Sequence, residues 1–309
     1  MNKAAGDLQS APAQPLRGII FVLAAVFVFA SMDTINKHLA INYPVPLIMA
    51  VRYLINLVGV ILIFAPRHGR ALLQMKRRQL VLFRGASLAA SSLLMGFALQ
   101  LMPVAETVAI IYLAPFGVLL LSGPLLKEPV KLAGWIATAT GFVGLLFIVR
   151  PGSCLDPTGV MFAICAIVGT ISYHMLSRLL AKTESTMALL FYTALIGTVI
   201  FCALLPWNIR GPTPTPLDVA LFIAIGVLSL IGHFLFTAAY REAPVSLLTP
   251  VNYVHLVWAA LLGWLVFGHI PDGLSLIGIA LVASAGAGNT LWAHFAKEKL
   301  TSITEISEV

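Results

Sequence analysis

Charged side chains inside long apolar stretches are the first candidates for function in this 309-residue chain, because an unpaired buried charge is costly. Asp33 and Lys37 lie four residues apart in the first stretch, acid before base, and this spacing predicts an intrahelical ion pair. Structural neutralisation and a coupling or gating role are both open for this pair. Arg52 lies deep in the second stretch and must contact a carboxylate, a carbonyl oxygen or water; Asp33 is one candidate partner.

A further carboxylate, Glu106, follows Pro103 at the start of the fourth apolar stretch. A carboxylate at this place can meet the positive end of a helix dipole, which is a structural role. It can equally contact a substrate or take part in proton coupling. We therefore keep Glu106 among the candidate substrate-binding residues.

Residues 249–258 form the most polar of the aromatic-rich stretches and contain a proline, which frees a backbone carbonyl. At about 100° per residue, Asn252 and His255 share one helix face, and Tyr253 and Trp258 flank it. Tyr112 occupies a similar place earlier in the chain. Two such tyrosines could bracket a flat ligand between their rings, although packing explains most aromatic residues in apolar stretches.

The composition places these residues in a bilayer, since 60% of the chain is hydrophobic, 10% is charged and the mean hydropathy is +0.97. A membrane-spanning helix needs about 20 mostly apolar residues. Ten stretches qualify, at residues 18–39, 46–65, 80–101, 104–126, 132–149, 159–180, 187–205, 217–240, 245–267 and 274–292. The sequence therefore predicts an all-α integral membrane protein with ten transmembrane helices, between a mobile tail over 1–16 and a second tail over 293–309.

The net charge of +7 indicates topology rather than a nucleic-acid partner. Most lysines and arginines lie in the even-numbered connections, before the first stretch or after the last. This bias predicts a multi-pass protein of the cytoplasmic (inner) membrane with both termini in the cytoplasm.

An internal repeat relates the two halves of the chain at a constant offset of 141 residues. The aligned pairs include Gly18 and Gly159, Ser31 and Ser172, Lys37 and Arg178, Gly85 and Gly226, Pro103 and Pro244, and Tyr112 and Tyr253. The repeats, residues 17–150 and 158–292, each hold five stretches. Because five is odd, the second repeat enters the membrane from the opposite face, which gives inverted halves suited to alternating access.

The repeat adds two residues to the coupling or gating candidates. His174 takes the position of Asp33, and Arg178 takes that of Lys37. A satisfied core histidine and an arginine that reaches lipid headgroups are the structural alternatives.

From about Arg17 to Trp292 the chain resembles the drug/metabolite transporter superfamily, in particular its EamA-type members. The resemblance rests on residues 31–37, on Arg52-Tyr53, on Arg84-Gly85 and above all on the run from Met102 to Pro115 that continues to Lys127-Glu128. It implies ten helices in two inverted halves, cytoplasmic termini and a central cavity lined mainly by the first, third and fourth helices of each half. One departure is His269, where the pattern has an acidic residue.

We expect a secondary transporter of a small organic metabolite rather than an enzyme. Few buried charges and paired aromatic rings favour a flat, neutral or zwitterionic substrate, with a vitamin such as riboflavin as the leading candidate. An amino acid or amine exporter is the alternative, and a membrane-embedded enzyme or a non-transporting scaffold are the rivals from other classes.

Cofactors and metals are not expected. The three cysteines form no CxxC pair, and no HExxH, Walker or GxSxG motif occurs. The expected partners are the substrate and the lipid bilayer. Glycines of the fifth and tenth stretches allow close helix approach, as scaffold or as contacts of a homodimer.

Overall fold

Helices make up the regular secondary structure of the residues that the computed structural model describes, which are 15–126, 132–150, 155–180, 183–209, 211–242, 248 and 251–288. They are α1 (Pro15–Ala40), α2 (Val45–His68), α3 (Arg78–Leu101), α4 (Val104–Ile111), α5 (Ala114–Leu126), α6 (Leu132–Val149), α7 (Pro157–Leu180), α8 (Thr186–Asn208), α9 (Pro216–Glu242), α10 (Val254–Phe267) and α11 (Gly273–Gly288). A short 3-10 helix, Gly69–Leu73, follows α2. Most of the two predicted tails lies outside the described residues, as does Glu128.

Six of the described helices, α1, α2, α3, α7, α8 and α9, are long and apolar enough to cross a membrane. Four shorter apolar helices accompany them, at Val104–Val118, Gly134–Val149, Val254–Phe267 and Gly273–Gly288. Large apolar side chains cover the outside of the bundle, among them Leu62, Leu132, Val168 and Val257. Such a surface is suited to lipid and not to water.

The packing of the helices follows the internal repeat. α3 packs along α7, and α9 packs along α1. The repeat relates these two contacts to each other. The contacts of α2 with α9 and of α8 with α3 form a second such pair, and α2 packs against its own counterpart α8. The two halves are therefore interleaved around a pseudo-twofold axis rather than standing side by side.

Polar contacts between the halves fasten both ends of the bundle. At one end, Glu184 accepts hydrogen bonds from the backbone N–H groups of Lys76 and Arg77 at 2.8 to 3.1 Å. At the other, Tyr43 donates to Asp218 at 2.9 Å. Glu184 lies 141 residues after Tyr43, and Asp218 lies 141 residues after Arg77, so the repeat relates these two contacts. We call the first the basic end and the second the opposite end.

A salt bridge adds to the contacts at the opposite end. Arg150, after α6, donates to Asp272, before α11, at 2.7 Å. The backbone N–H of Ser275 and the Arg150 guanidinium lower the pKa of Asp272 to about 2. A carboxylate with a depressed pKa contributes its full stabilisation above its ordinary pKa, so this contact is complete at neutral pH and is lost as the pH falls below the ordinary pKa and through about 2.

The fourth predicted span, residues 104–126, is divided in the structure. α4 ends at Ile111, Tyr112 and Leu113 form a turn, and α5 begins at Ala114. Pro115 explains the break, because proline lacks the N–H that a continuous helix needs and is tolerated in a first turn. In the second half Tyr253 is likewise a turn residue directly before α10.

Two glycines bring the backbones of α6 and α11 into contact within one chain. A Cβ atom built on Gly278 would lie 2.6 Å from the Gly144 carbonyl oxygen, and one on Gly144 would lie 2.8 Å from that of Gly278. These glycines, which the sequence left open as dimer contacts, serve packing inside the protomer.

Gly278→Ala should lower the melting temperature of the purified protein, because the added methyl must push two helix backbones apart. Such overpacking costs about 1 to 3 kcal/mol. Gly288→Ala is the matched control, since a Cβ there meets nothing within 4 Å. Equal melting temperatures for the two variants would contradict the close contact of α6 and α11.

Candidate functional site

A cavity of about 630 Å³ lies between the two halves. Most of its wall is apolar, and its polar or ionisable members come from both halves. They are Asp33, Asn36, Arg52, Tyr53, Asn56, Ser92, Tyr112, Tyr173, Thr193, Ser229, His233 and His255. The repeat relates Arg52 to Thr193 and Ser92 to His233, and all four line the cavity, so the pseudo-twofold axis passes through it.

The cavity extends from the middle of the bundle toward the basic end. α2 contributes Val60, Ile63 and Phe64, near its end, and α8 contributes Met187, near its start. α9 contributes residues from Ser229 to Ala238, again on the side of the basic end. The lining on the other side stops at the level of Asp33 and Asn36 in α1.

A chain of polar contacts joins α1, α4 and α10 where the cavity ends in the middle of the bundle. Tyr112 donates its hydroxyl proton to the backbone carbonyl of Asn252 at 2.9 Å, and its oxygen lies 3.1 Å from Nδ1 of His255. Nε2 of His255 in turn lies 3.4 Å from a carboxylate oxygen of Asp33. Asp33 and His255 are both buried, and each comes from a different half.

Asp33 and Lys37 do not form the intrahelical ion pair that their spacing predicts. Lys37 instead donates to the backbone carbonyls of Leu99 at 2.9 Å and Met102 at 2.7 Å. These carbonyls belong to the end of α3, where helix carbonyls lack intrahelical partners and a cation is favoured. The long side chain of Lys37 thus reaches another helix end, and Asp33 is free to pair with His255.

Arg52 does not pair with Asp33 either. Its guanidinium donates to the hydroxyl of Ser92 at 3.0 Å and lies 5.0 Å from the centre of the Tyr53 ring. Within the described part of the chain it makes no ion pair. A cation–π contact and a neutral acceptor therefore hold a positive charge at the cavity wall.

Glu106 contacts the residue that departs from the family pattern. His269 Nε2 lies 2.9 Å from one carboxylate oxygen of Glu106, whose side chain is 3% exposed. This contact joins the first half to the second at the opposite end. Glu106 is absent from the cavity lining and lies on the side of the opposite end.

The aromatic candidates have different surroundings from those expected. Tyr112 and Tyr253 touch each other edge to face with their ring centres 5.2 Å apart, which leaves no space for a flat ligand between them. Trp258 packs on Phe27 at 4.9 Å, away from the cavity. Asn252 contributes its backbone carbonyl. Of these residues, Tyr112 lines the cavity in this conformation.

His174 and Arg178 are the two candidates that the repeat adds. His174 contacts the Tyr173 ring at 5.3 Å but is not part of the cavity wall. The side chain of Arg178 lies outside the described residues, as do Thr249 and Pro250.

Sequence reasoning missed Arg84, which it interpreted as a topology-determining charge. Arg84 is buried and donates to Ser177 at 2.7 Å, Thr193 at 2.6 Å and the Tyr173 hydroxyl at 3.0 Å. All three lie in the second half, so one guanidinium fastens α3 to α7 and α8. Its position six residues inside α3 was the available signal.

Asn36 and Asn56 were also missed. Both are amides on otherwise apolar helices and both line the cavity. Asn56 donates to Ser229 of the second half at 3.1 Å. The Oδ1 atom of Asn36 is buried and has no hydrogen-bond partner within the described residues.

An apolar helical bundle with two interleaved halves and a cavity on their axis is typical of membrane proteins that transport solutes. The chain belongs to the EamA-like transporter family, whose sequence model matches residues 16–150 and 157–288. The transporter names of its relatives agree with this class and not with an enzyme.

Named relatives cover most of the chain. It is 28% identical to the riboflavin transporter of Vibrio cholerae over 90% of this chain and 94% of that one. It is 26% identical to the pseudopaline exporter CntI of Pseudomonas aeruginosa over 87% and 94%. A solved crystal structure shares the fold, with a TM-score of 0.63, 21% identity and coverage of 91% of this chain and 97% of that one. The chain is thus an integral membrane protein of a small-molecule transporter family.

Closure of the opposite end can be tested by cysteine labelling. In a protein whose own cysteines are replaced, Met95→Cys places a thiol on the cavity wall. A membrane-impermeant maleimide should reach it from the basic end and not from the other. Glu106→Ala should add labelling from the opposite end, faster by at least about tenfold, because losing a hydrogen bond to a charged group costs about 1.5 to 3 kcal/mol and a tenfold change corresponds to about 1.4 kcal/mol.

The matched control for that experiment is Asp156→Ala. Asp156 is also near the start of a helix in the second half, but it accepts hydrogen bonds from Thr158 and Gly159 of its own segment. It should leave the labelling pattern unchanged. Labelling from both sides in the unaltered background would show that Glu106 and His269 do not close this end.

Proposed function

We propose that this chain is a secondary transporter that carries a small organic metabolite across the cytoplasmic membrane by alternating access. In this proposal ten spans form two inverted repeats, residues 17–150 and 158–292, with both termini in the cytoplasm. The basic end then faces the cytoplasm, because connections rich in lysine and arginine stay on that side.

The observation that carries this proposal is the position of the cavity on the repeat axis. A site on that axis is reached from either side when two related halves exchange conformations. The polar contacts at the opposite end and the extension of the cavity toward the basic end describe a cytoplasm-facing state of such a cycle. Glu106 and His269 act there as part of the outer closure.

The substrate that the site fits best is a flat, neutral vitamin such as riboflavin. A cavity of about 630 Å³ lies in the range of about 300 to 1,000 Å³ that holds drug-sized ligands. Its wall is mostly apolar, which suits a ring system, while Arg52, Asn36 and Asn56 offer hydrogen bonds to ring carbonyls and hydroxyls. The name of the Vibrio cholerae relative supports the same choice.

Amino acid or amine export is the second candidate. The carboxylate of Asp33 at the cavity wall provides a counter-charge for an ammonium group, and the Pseudomonas aeruginosa relative is named as an exporter. A membrane-embedded enzyme has less support, since the family and the named relatives are transporters.

Riboflavin binding to the purified protein tests the leading substrate. Leu88→Trp fills part of the cavity from α3, and it should weaken riboflavin binding by at least about tenfold, or 1.4 kcal/mol, measured by quenching of flavin fluorescence. Leu82→Trp is the matched control, because Leu82 is on the same helix and 47% exposed on its outer surface.

The outcomes separate the candidates. Riboflavin binding that Leu88→Trp and Leu82→Trp leave equally strong would remove the cavity as the binding site. Absence of riboflavin binding, together with a rise in melting temperature on adding an amino acid or amine, would replace the vitamin by the second candidate.

A further inference from the structure

The Asp33–His255 contact links the two halves of the chain at the cavity wall. It joins α1 of the first half to α10 of the second, and both side chains are buried yet line the cavity. The repeat places His174 and Ala114 at the corresponding positions, and these form no such pair. The contact is therefore an asymmetric link between two halves that must move relative to each other.

The hydrogen bonds of Tyr112 favour one of the two neutral tautomers of His255. A hydroxyl has one proton, and Tyr112 donates it to the Asn252 carbonyl, which cannot donate in return. The distance of 3.1 Å from the Tyr112 oxygen to Nδ1 then favours the tautomer with a proton on Nδ1, because the two atoms can then form a hydrogen bond. In neutral His255 the remaining nitrogen, Nε2, consequently presents a lone pair to Asp33.

A lone pair and an ionised carboxylate 3.4 Å apart repel each other. One proton removes the repulsion, either on Nε2, which gives an imidazolium–carboxylate pair, or on Asp33, which gives a carboxylic acid beside neutral imidazole. The pair is attractive only while it holds this proton, so the two side chains together can act as a proton-binding site. Loss of this proton converts an attraction between the halves into a repulsion.

Other ionisable groups face this pair from the neighbouring helices. Arg52 of α2, His233 of α9 and Tyr173 of α7 line the same cavity. Lys37 lies one turn further along α1, and Glu106 of α4 is held by His269.

We propose that Asp33 and His255 form a proton-binding site and that the proton is the coupling ion of transport. This proposal rests on the transport function proposed above. A proton from water in the open cavity binds to the pair and draws α1 and α10 together. It returns to water when the cavity opens to the other side, so its transfer is tied to the exchange of the two states.

Histidine NMR tests the proton site without any cargo. In protein labelled with ¹⁵N-histidine, the His255 signal, assigned by its loss in His255→Gln, should show a protonated Nδ1 at acid and alkaline pH. The signal of Nε2 alone should change with pH. Tyr112→Phe should abolish this preference, and a neutral form protonated on Nε2 in the unaltered protein would overturn the proposal.

Transport in proteoliposomes tests the coupling, with riboflavin as the probe. A pH gradient of one unit should drive a riboflavin gradient of up to about tenfold for one proton per molecule. Asp33→Asn and His255→Gln should lose this accumulation, and any riboflavin that they still move should reach equal concentrations on the two sides whatever the pH gradient. Asp156→Asn and His38→Gln are the matched controls, since both residues lie outside the cavity wall.

The results also separate the two proposals. Equal accumulation by Asp33→Asn and the unaltered protein would overturn proton coupling at this site. If the unaltered protein neither binds nor moves riboflavin, the proposed substrate fails, and the NMR result then decides the proton site by itself.

Discussion

Lipid offers no hydrogen bonds, so every polar group inside this bundle depends on another part of the protein for a partner. Hydroxyls meet the requirement locally, as Thr34 and Thr198 do by donating to the carbonyl four residues earlier. Long cationic side chains meet it at a distance. Arg84 reaches three hydroxyls of the second half, and Lys37 reaches two carbonyls at the end of α3. The need for partners thus determines much of the way in which the helices are held together.

The same requirement explains what could be predicted from the sequence. The bilayer constrains the length of the apolar stretches and the distribution of lysine and arginine along the whole chain. The constant repeat offset shows how the two halves correspond. These patterns gave the helical class and the two related halves. Residues such as Asp33, His255 and Tyr112 were recognisable as candidates because ionisable or polar side chains are scarce in apolar helices.

The partners of those residues could not be predicted, because they are set by distances between helices. Spacing along α1 favoured Asp33 with Lys37, but the carbonyls at the end of α3 are stronger competitors for the lysine. The repeat matched Tyr112 with Tyr253 correctly as counterparts, yet only the packing shows that their rings touch. The position of Arg84 inside α3 could have distinguished it from a topological charge, but its hydroxyl partners lie on two helices that are distant in the sequence and could not be predicted.

Each end of the bundle has a contact for which the second half supplies the acid, but the acid occupies a different one of the two repeat-related positions at each end. Glu184 stands where the first half has Tyr43, and Asp218 stands where it has Arg77. Two identical protomers would have been bound to carry the same contact at both ends. Because both halves belong to one chain, a mutation can strengthen the contact at one end without altering the contact at the other. In the alternating-access cycle that we propose, selection can then adjust the lifetime of each access state separately.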